Sequence, residues 1–458
     1  MKVRVSYMQM KRFYLFLVAV VFLASCDGKG EGPSVESGLE GKSFSSKMDH
    51  LFEEFYANNK FMGSVSVTQQ GRDIYSSAFG YSDIDSQTLS NLGTKYRGGS
   101  ITKMFTSALV LKAVEDKKLS LDMTVEHFFP SIVNAPKITI RQLLNHRSGI
   151  PSFTKDPVFW KVRTDNMSPA SLLSLISEYQ SNFEPDSSHE YSNSNYFLLS
   201  QILERVYQLS YAALLQREIA EPLALQNTYS GQRTQNDQAY SYVYEDGWKR
   251  FPETDLSIAI GSGDIVTTPK DLNVFIRALF EEQIISADSL NKMTLIRDNV
   301  GLGLFPFSFK NINGFGHGGT IDGFHSISIY FPEEQLVVSI MSNAIDYNIN
   351  TLFTHVLSMY FNEPFEFPNF DGVSITAKEL EKYVGMYKGE GPGKFTITLK
   401  EGVLHAQLND SFIEPLIYLG NHKFTNEETG AHFIFDPEAN TLGLEQSGVA
   451  DIYMFNKQ

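Results

Sequence analysis

The sequence predicts a layered fold of the α/β class, with α+β character, followed by a small all-β domain. Two observations in this chain of 458 residues lead to the prediction. Between about residues 48 and 360, strand patterns stand at both ends and helical patterns fill the middle, so strands distant in the chain are expected to pair in one sheet. After about Pro368, short apolar runs alternate with turn residues, which is typical of a small β-sandwich or barrel.

The N-terminus has the pattern of a secretory signal over residues 1–25. It contains four basic residues and no acidic one, followed by an apolar run from Phe13 to Ala24. A run of roughly 12 residues is too short for a helix to cross a bilayer core of ~30 Å, so we expect the signal to be cleaved. The lone cysteine, Cys26, follows in the sequence Leu-Ala-Ser-Cys.

This position of Cys26 resembles a bacterial lipobox, in which the cysteine is lipidated and becomes the new N-terminus. The resemblance implies an envelope protein, anchored in the membrane through Cys26 and facing the periplasm or the exterior. Residues 26–46 are rich in Gly, Ser, Glu and Lys, which predicts a flexible tether. Without a second cysteine, the chain forms no internal disulfide.

The formal net charge of the chain is −15. Nucleic-acid binding depends on neutralising phosphates with Lys and Arg, so this charge argues against a nucleic-acid partner. The charge says nothing about catalysis, and the sequence does not indicate an oligomeric state.

Within residues 47–365, apolar periodicity predicts the following elements. They are a hairpin of Gly63 to Val67 with Asp73 to Ala78, helices over Ser100 to Asp116, Ser171 to Tyr179 and Tyr196 to Val206, and a hairpin of Phe324 to Phe331 with Leu336 to Met341. Within residues 371–458, we predict a short amphipathic piece at Glu379 to Tyr387 and a series of strands. These are Phe395 to Leu399, Val403 to Leu408, Phe412 to Leu419, His432 to Phe435 and Ile452 to Phe455.

The strongest chemical candidate is Ser100, which stands at the start of a predicted buried helix after Gly98 and Gly99. Lys103 lies three residues on, on the same helical face. A serine hydroxyl becomes a nucleophile when a base takes its proton, and a lysine can be that base if burial lowers its pKa. By itself the pattern Ser-x-x-Lys also fits a helix N-cap followed by a surface lysine.

A second motif, Tyr191-Ser192-Asn193, follows a polar turn and leads into a predicted helix. Its phenol can relay a proton and its amide can hold a substrate carbonyl. The pattern Tyr-x-Asn recurs at Tyr56 and at Tyr360, and we interpret both copies as structural because they lie on helical segments.

A third motif, His317-Gly318-Gly319-Thr320, precedes the second hairpin. It combines a titratable or cationic side chain with backbone bare enough for a substrate to approach. The alternative interpretation is a glycine-rich turn that carries a solvated histidine.

In this order the three motifs resemble the serine β-lactamase and penicillin-binding protein superfamily, and most closely the branch of class C β-lactamases, DD-peptidases and esterases. Further segments agree with that resemblance. They are Phe79 to Asp83, Leu143 to Ile150, Gly261 to Asp264 and Thr267 to Leu272. The resemblance implies a hydrolase domain over residues 47–365, with an antiparallel sheet flanked by helices and a helical subdomain. Residues 371–458 resemble the β-barrel domain that some members carry.

The resemblance also implies a mechanism, in which Ser100 attacks an amide, ester or lactam carbonyl and forms an acyl-enzyme. Lys103 and Tyr191 would share the proton transfers. The remaining implied roles concern substrate binding, by Asn193, His317, Gly319 and Thr320, with the backbone N–H groups of Ser100 and Thr320 holding the oxyanion. Neither a metal nor an organic cofactor is implied, and the partner is a small-molecule or peptide substrate.

One departure from the family bears on the substrate. The common third motif is Lys-Thr-Gly, whereas this chain has His317-Gly318-Gly319, without the permanent cation and the middle hydroxyl. We therefore expect activity on D-amino-acid-containing peptides or small esters rather than strong β-lactam hydrolysis. Two alternatives stay open: a β-lactamase proper, and a catalytically inactive envelope protein that binds peptides. The Gly-x-Ser-x-Gly motif of α/β-hydrolases and the His-Glu-x-x-His motif of metallopeptidases do not occur.

Overall fold

The computed structural model describes residues 41–458 except 234–236, 366, 369, 371, 390–392, 410–412, 427–428 and 447–451. The predicted signal, Cys26 and most of the predicted tether lie outside the described residues. The first helix begins at Phe44, where the Ser43 hydroxyl accepts a hydrogen bond from the Ser46 amide at 3.2 Å. Residues 44–46, assigned above to the tether, are therefore helical. Over the described part of the chain, no helix combines the length and apolarity needed to cross a membrane.

The α-helices of the described residues are α1 Phe44–Ala57, α2 Thr102–Glu115, α3 Ile140–Leu144, α4 Pro157–Val162, α5 Pro169–Ser177, α6 Asn193–Tyr207, α7 Tyr211–Leu215, α8 Pro269–Phe280, α9 Ala287–Thr294, α10 Ile349–Phe361 and α11 Ala377–Leu380. The strands up to residue 345 are β1 Phe61–Gln69, β2 Arg72–Phe79, β3 Tyr81–Asp83, β4 Thr88–Leu89, β5 Tyr96–Arg97, β6 Tyr229–Ser230, β7 Tyr242–Tyr244, β8 Trp248–Arg250, β9 Ile265–Thr267, β10 Phe305–Phe309, β11 Ile312–Ile321, β12 Phe324–Phe331 and β13 Leu336–Ile345.

A six-stranded antiparallel sheet with the order β10-β11-β12-β13-β1-β2 organises this part of the chain. Strand β1 pairs with β13, so that Val65 lies opposite Ile340, which confirms the prediction that strands from the two ends share one sheet. Both predicted hairpins are present as β1-β2 and β12-β13. The two other copies of Tyr-x-Asn, at Tyr56 and Tyr360, lie at the ends of α1 and α10, on helices as interpreted from the sequence.

The sheet has helices on both faces because alternate residues of each strand point to opposite sides. Val338 and Ile340 pack with α1 and α10 in one apolar cluster. Val337 and Met341 pack on the other face, in a cluster that contains α2, α6 and α8. Helix α2 is buried almost all round, from Thr102 to Leu111, as expected for a helix at the centre of a large domain. Its depth determines the environment of the catalytic candidates.

The C-terminal strands close into an eight-stranded antiparallel barrel, which decides between the predicted sandwich and barrel. They are β14 Gly385–Gly389, β15 Lys394–Lys400, β16 Val403–Leu408, β17 Ile413–Gly420, β18 Lys423–Asn426, β19 Ala431–Asp436, β20 Thr441–Gln446 and β21 Tyr453–Lys457.

The predicted amphipathic piece from Glu379 to Tyr387 is helical in its first half only. Helix α11 and a 3-10 turn end at Tyr383, and Gly385–Gly389 forms β14. Tyr387 lies opposite Phe395 on one side and Lys457 on the other, so β14 closes the barrel between its neighbour and the last strand. Pairing with β15 and with the distant last strand, β21, overrides the local helical pattern here.

Candidate active site

Ser100 lies in a 3-10 turn, Gly99–Ile101, which leads directly into α2. Gly99 has φ of +52°, a conformation that strains residues with a side chain. A Cβ atom at Gly99 would also stand 2.9 Å from the backbone nitrogen of Thr320. The glycine before the nucleophile therefore permits both the turn and its close contact with β11.

Strand β11 presents a free edge to this turn. Strand β10 pairs with β11 only as far as Gly316, so residues 317–321 have β12 on one side and the nucleophile turn on the other. The Ser326 hydroxyl joins the two segments by donating to the carbonyl oxygen of Gly98 at 2.8 Å. A Cβ atom at Gly319 would lie 2.0 Å from that oxygen and 2.9 Å from the nitrogen of Ser100. The sequence motifs at 100 and 317–320 thus meet in space, backbone against backbone.

Lys103 is completely buried beneath Ser100. Its amine lies 3.1 Å from the Ser100 hydroxyl oxygen, 2.8 Å from Asn193 Oδ1 and 2.6 Å from the carbonyl oxygen of Ser262. Burial lowers the pKa of Lys103 well below its ordinary value, and the negative charge of Asp264 opposes this with a smaller effect. A neutral amine can donate to the two carbonyl oxygens and accept the proton of Ser100.

Tyr191 completes the hydrogen-bond chain, since its phenol donates to the Ser100 oxygen at 2.8 Å. Burial raises the pKa of Tyr191 above its ordinary value, so the resting group is a protonated phenol. Its ring centre lies 4.8 Å from the Lys103 amine. Ser100 therefore accepts one hydrogen bond from Tyr191 while its own proton is free to point at Lys103.

Asn193 stands at the first residue of α6, where Ser152 accepts a hydrogen bond from its backbone amide at 3.0 Å. Its side-chain oxygen accepts from Lys103, and its amide nitrogen donates to the Thr154 hydroxyl at 3.0 Å. An amide group has two hydrogens, so one remains for a substrate. The side chain predicted to bind substrate thus also holds the lysine.

His317 is buried, with 5% of its surface exposed, which corrects the alternative of a solvated histidine. Burial lowers the pKa of His317 to about 3, and Lys103 acts in the same direction when its amine is protonated. The cationic form allowed for above is therefore disfavoured, and the imidazole is neutral near pH 7. Thr320 is exposed on the same strand, with its hydroxyl 3.4 Å from His325 Nδ1.

Asp264 supports this site, although no role was predicted for it from its segment. The carboxylate accepts a hydrogen bond from the Gly261 amide at 2.8 Å and also contacts the Ser230 hydroxyl. It thereby closes the turn from which Ser262 presents its carbonyl oxygen to Lys103. Burial raises the pKa of Asp264 to about 7. The sequence signal was a lone acid in a glycine-rich turn, and only the fold places it beneath the lysine.

Within the described ranges, no three His, Cys, Asp or Glu side chains come together in a way that could hold a metal ion.

Comparison with known proteins finds one matching family and relatives with similar sequences. The family model described as Beta-lactamase matches residues 48–347. Penicillin-binding protein 4* of Bacillus subtilis (strain 168) is 24% identical over 371 residues, which cover 74% of this chain and 81% of that protein. The teichoic acid D-alanine hydrolase of Staphylococcus aureus (strain MRSA252) is 24% identical over 269 residues, covering 58% of this chain and 65% of that relative. The match thus spans slightly less than two thirds of the latter protein.

Solved structures resemble the chain as well. A D-stereospecific amidohydrolase from Streptomyces sp. has 25% identity and a TM-score of 0.59, and the match covers 66% of this chain and 94% of that one. The octameric penicillin-binding protein homologue from Pyrococcus abyssi has 24% identity and a TM-score of 0.66, and covers 90% of this chain and 99% of its own. The second likeness shows that the fold is shared over most of the chain.

Proposed function

Because the chain belongs to the beta-lactamase family, we propose that it is a serine hydrolase that cleaves amide or ester bonds of D-amino-acid substrates through an acyl-enzyme. One observation carries the proposal. The Ser100 hydroxyl oxygen lies 3.1 Å from the amine of Lys103 and 2.8 Å from the phenol of Tyr191. A nucleophile within hydrogen-bond reach of its base and of a second proton carrier is the arrangement that acyl transfer needs.

In the acylation step, neutral Lys103 takes the proton of Ser100 as the hydroxyl oxygen bonds to the substrate carbonyl carbon. The tetrahedral oxyanion is placed between the backbone amides of Ser100 and Thr320, which border the contact of the two glycine-rich segments. Tyr191 then delivers a proton to the leaving nitrogen or oxygen, and Lys103 restores the proton of the phenol. Water releases the acyl group by the reverse sequence of proton transfers.

The polarity of the third motif supports the choice of substrate class. A substrate with a free carboxylate in its leaving group is best held by a permanent cation. In this position the chain has His317, which burial keeps neutral. An uncharged leaving group, as in a D-amino-acid amide or ester, fits such a site better. The names of two similar proteins, a teichoic acid D-alanine hydrolase and a D-stereospecific amidohydrolase, also support a D-amino-acid substrate.

The test is a substrate panel applied to residues 27–458 and to the Ser100→Ala variant. It contains D-aminoacyl amides, short D-amino-acid esters, a D-Ala-D-Ala peptide and a chromogenic cephalosporin. We expect turnover of the amides or esters that disappears in Ser100→Ala. Turnover of the cephalosporin above all others would instead support the β-lactamase alternative.

The binding-protein alternative makes a different prediction for a covalent serine probe. An active hydrolase is labelled once per molecule, and the label is lost in Ser100→Ala. Folded protein that takes no label at neutral pH and turns over no member of the panel would show that the chain is a catalytically inactive binder.

We also propose that Cys26 carries the lipid anchor and that the protein belongs to the cell envelope. The proposal rests on the apolar run and on the small residues before Cys26. Metabolic labelling with an alkyne fatty acid checks it, with Cys26→Ser as the matched control. We expect a labelled membrane fraction for the wild-type protein and no label for the variant, and an unlabelled soluble wild-type protein would refute it.

A further inference from the structure

His146 lies directly behind Tyr191 and binds the chain on both sides of it. The Glu190 amide donates to the backbone oxygen of His146 at 3.0 Å, and the Ser192 amide donates to the ring nitrogen Nδ1 at 3.1 Å. The imidazole and phenol ring centres are 4.3 Å apart, with the planes inclined by 32°. A single residue thus clamps the backbone before and after Tyr191 and supports its ring.

The clamp requires one protonation state of the imidazole. A backbone N–H can only donate, so Nδ1 of His146 must be unprotonated, and the proton of the neutral ring lies on Nε2. The surroundings favour that state, because 1% of the residue is exposed. Burial lowers the pKa of His146 well below its ordinary value, and Lys103 adds to this effect only when its amine is protonated.

The backbone of His146 shows that the residue is not chosen for local stability. It follows α3 with φ of +59°, in the left-handed region where a helix end is usually completed by Gly or Asn. A residue with a larger side chain is strained in this conformation, which costs free energy. The contacts of the ring with Tyr191 and Ser192 offset this cost and explain the choice of histidine.

Neighbouring residues extend the clamp along the same loop. The Asp186 amide donates to the Arg147 carbonyl oxygen at 2.8 Å, and the Asn182 amide donates to the Gly149 carbonyl oxygen at 2.9 Å. Gly149 is needed for this approach, since a Cβ atom would meet the carbonyl oxygen of Phe183 at 2.2 Å. Hydrogen bonds to residues 146–149 therefore hold the loop of residues 182–192, which carries Tyr191.

We propose that His146 is a positioning residue that fixes the phenol of Tyr191 within hydrogen-bond distance of Ser100. The inference deepens the proposed function and rests on it, since it requires that Tyr191 transfers protons. His146 acts through Tyr191 and touches no substrate. Its loss is expected to slow the proton transfers and to leave substrate binding largely unchanged.

A double-mutant cycle tests the proposal on the full mature chain with a D-amino-acid ester. His146→Leu removes the acceptor, whereas His146→Asn keeps one, because its Oδ1 stands near the position of Nδ1, and it tolerates the left-handed backbone. A positioned acid or base accelerates a reaction about 10²–10⁴-fold. We therefore expect His146→Leu to lower kcat at least about tenfold with little change in KM. His146→Asn should recover kcat to within about threefold, because its Oδ1 can replace Nδ1.

The Tyr191→Phe background distinguishes an effect through Tyr191 from a general structural effect. If His146 acts through the phenol, His146→Leu changes kcat less than about twofold once the phenol is absent. Equal losses in both backgrounds, or an unchanged kcat for His146→Leu in the wild-type background, would overturn the proposal. Equal losses of kcat in His146→Asn and His146→Leu would also overturn it. If the Leu variant does not fold, His146→Ala takes its place in the cycle.

The same cycle separates failure of this inference from failure of the proposed function. Tyr191→Phe alone should lower kcat strongly. If it does not, Tyr191 is not a proton carrier and the proposed mechanism itself is wrong, whatever His146 does.

Discussion

The amine of Lys103 lies 3.1 Å from the hydroxyl oxygen of Ser100 although the lysine side chain has no exposed surface. A buried ammonium loses its hydration, so burial favours the neutral amine that can act as a base. The 3-10 turn that leads into α2 thus carries Ser100, the proposed nucleophile, and the first turn of α2 carries Lys103, the proposed base.

Lys103→Ala and Lys103→Arg test whether the lysine is a base or only a cation. Arginine keeps the charge but cannot give up its proton in proteins. We expect each substitution to lower kcat/KM by at least about 10³, as for loss of a group that activates the nucleophile. Steady-state kinetics on a D-amino-acid ester gives the answer, with circular dichroism to verify the fold. Near-normal turnover of the arginine variant would mean that a positive charge suffices.

Asp264→Asn should move the acid limb of the pH profile to lower pH. Activity falls as the pH falls through the pKa of Lys103, since the base is then protonated. The negative charge of Asp264 raises that pKa, so removing it lowers the pKa of Lys103. This shift of the acid limb is expected at pH values at which Asp264 is ionised, above its pKa of about 7.

The measurement is kcat/KM from pH 5 to 10 for both proteins. His317, with a pKa of about 3, does not titrate over this range. A limb that is unchanged, or that moves to higher pH, would contradict the predicted coupling of the two charges.

Gly319→Ala should abolish most activity, whereas Gly318→Ala should be tolerated. A Cβ atom at Gly319 would lie 2.0 Å from the oxygen of Gly98, which pushes β11 away from the nucleophile turn. At Gly318 the nearest atom would be the oxygen of Ser326 at 3.6 Å, an ordinary contact. A misplacement of about 1 Å can cost about 10²-fold in rate, so we expect at least that loss for Gly319→Ala. Comparable kcat/KM for the two variants would refute the close contact.

Asp322→Ala should destabilise the catalytic domain because it removes the carboxylate that pairs with the buried guanidinium of Arg163. Arg97 also loses a contact but keeps its ion pair with Glu253 at 2.7 Å. The Asp322 carboxylate accepts from Arg163 at 2.8 Å and lies 3.4 Å from Arg97, with 2% of the aspartate side chain exposed. Removing one member of a buried ion pair costs about 3–5 kcal/mol.

Glu184→Gln is the matched control, because Glu184 pairs with Lys137 on the surface. The Glu184 side chain is 68% exposed and the Lys137 side chain 62%. We expect it to change stability by less than about 0.5 kcal/mol. Chemical denaturation of the two variants beside the wild-type protein measures both effects, and equal midpoints for the two would show that the buried network does not stabilise the domain.

The motifs at Ser100, Tyr191 and His317 were identifiable from the sequence, and the structure brings all three together. Their residue types carry the chemistry, and glycines at 99 and 319 indicate close backbone approach before any fold is known. The two predicted hairpins were confirmed, because alternating apolar residues and turn residues are signals that local sequence carries.

Other features lay outside the reach of local patterns. Strand β14 was predicted as part of an amphipathic piece, because its strand character comes from Phe395 and Lys457 on either side of Tyr387. The support given by Asp264 and His146 was likewise invisible, since both act on residues about 45 to 160 positions away in the chain.

By itself, the sequence determined the family and the order of strands and helices, and it predicted Ser100 as the nucleophile and Lys103 as its base, because these depend on residue type and spacing. Only the tertiary structure decided that Lys103 has no exposed surface and that His317 is neutral. The physical reason is that a pKa depends on desolvation and on charges brought near by folding. The three motifs name the candidate reacting groups, and the burial of Lys103 and His317 sets their protonation states.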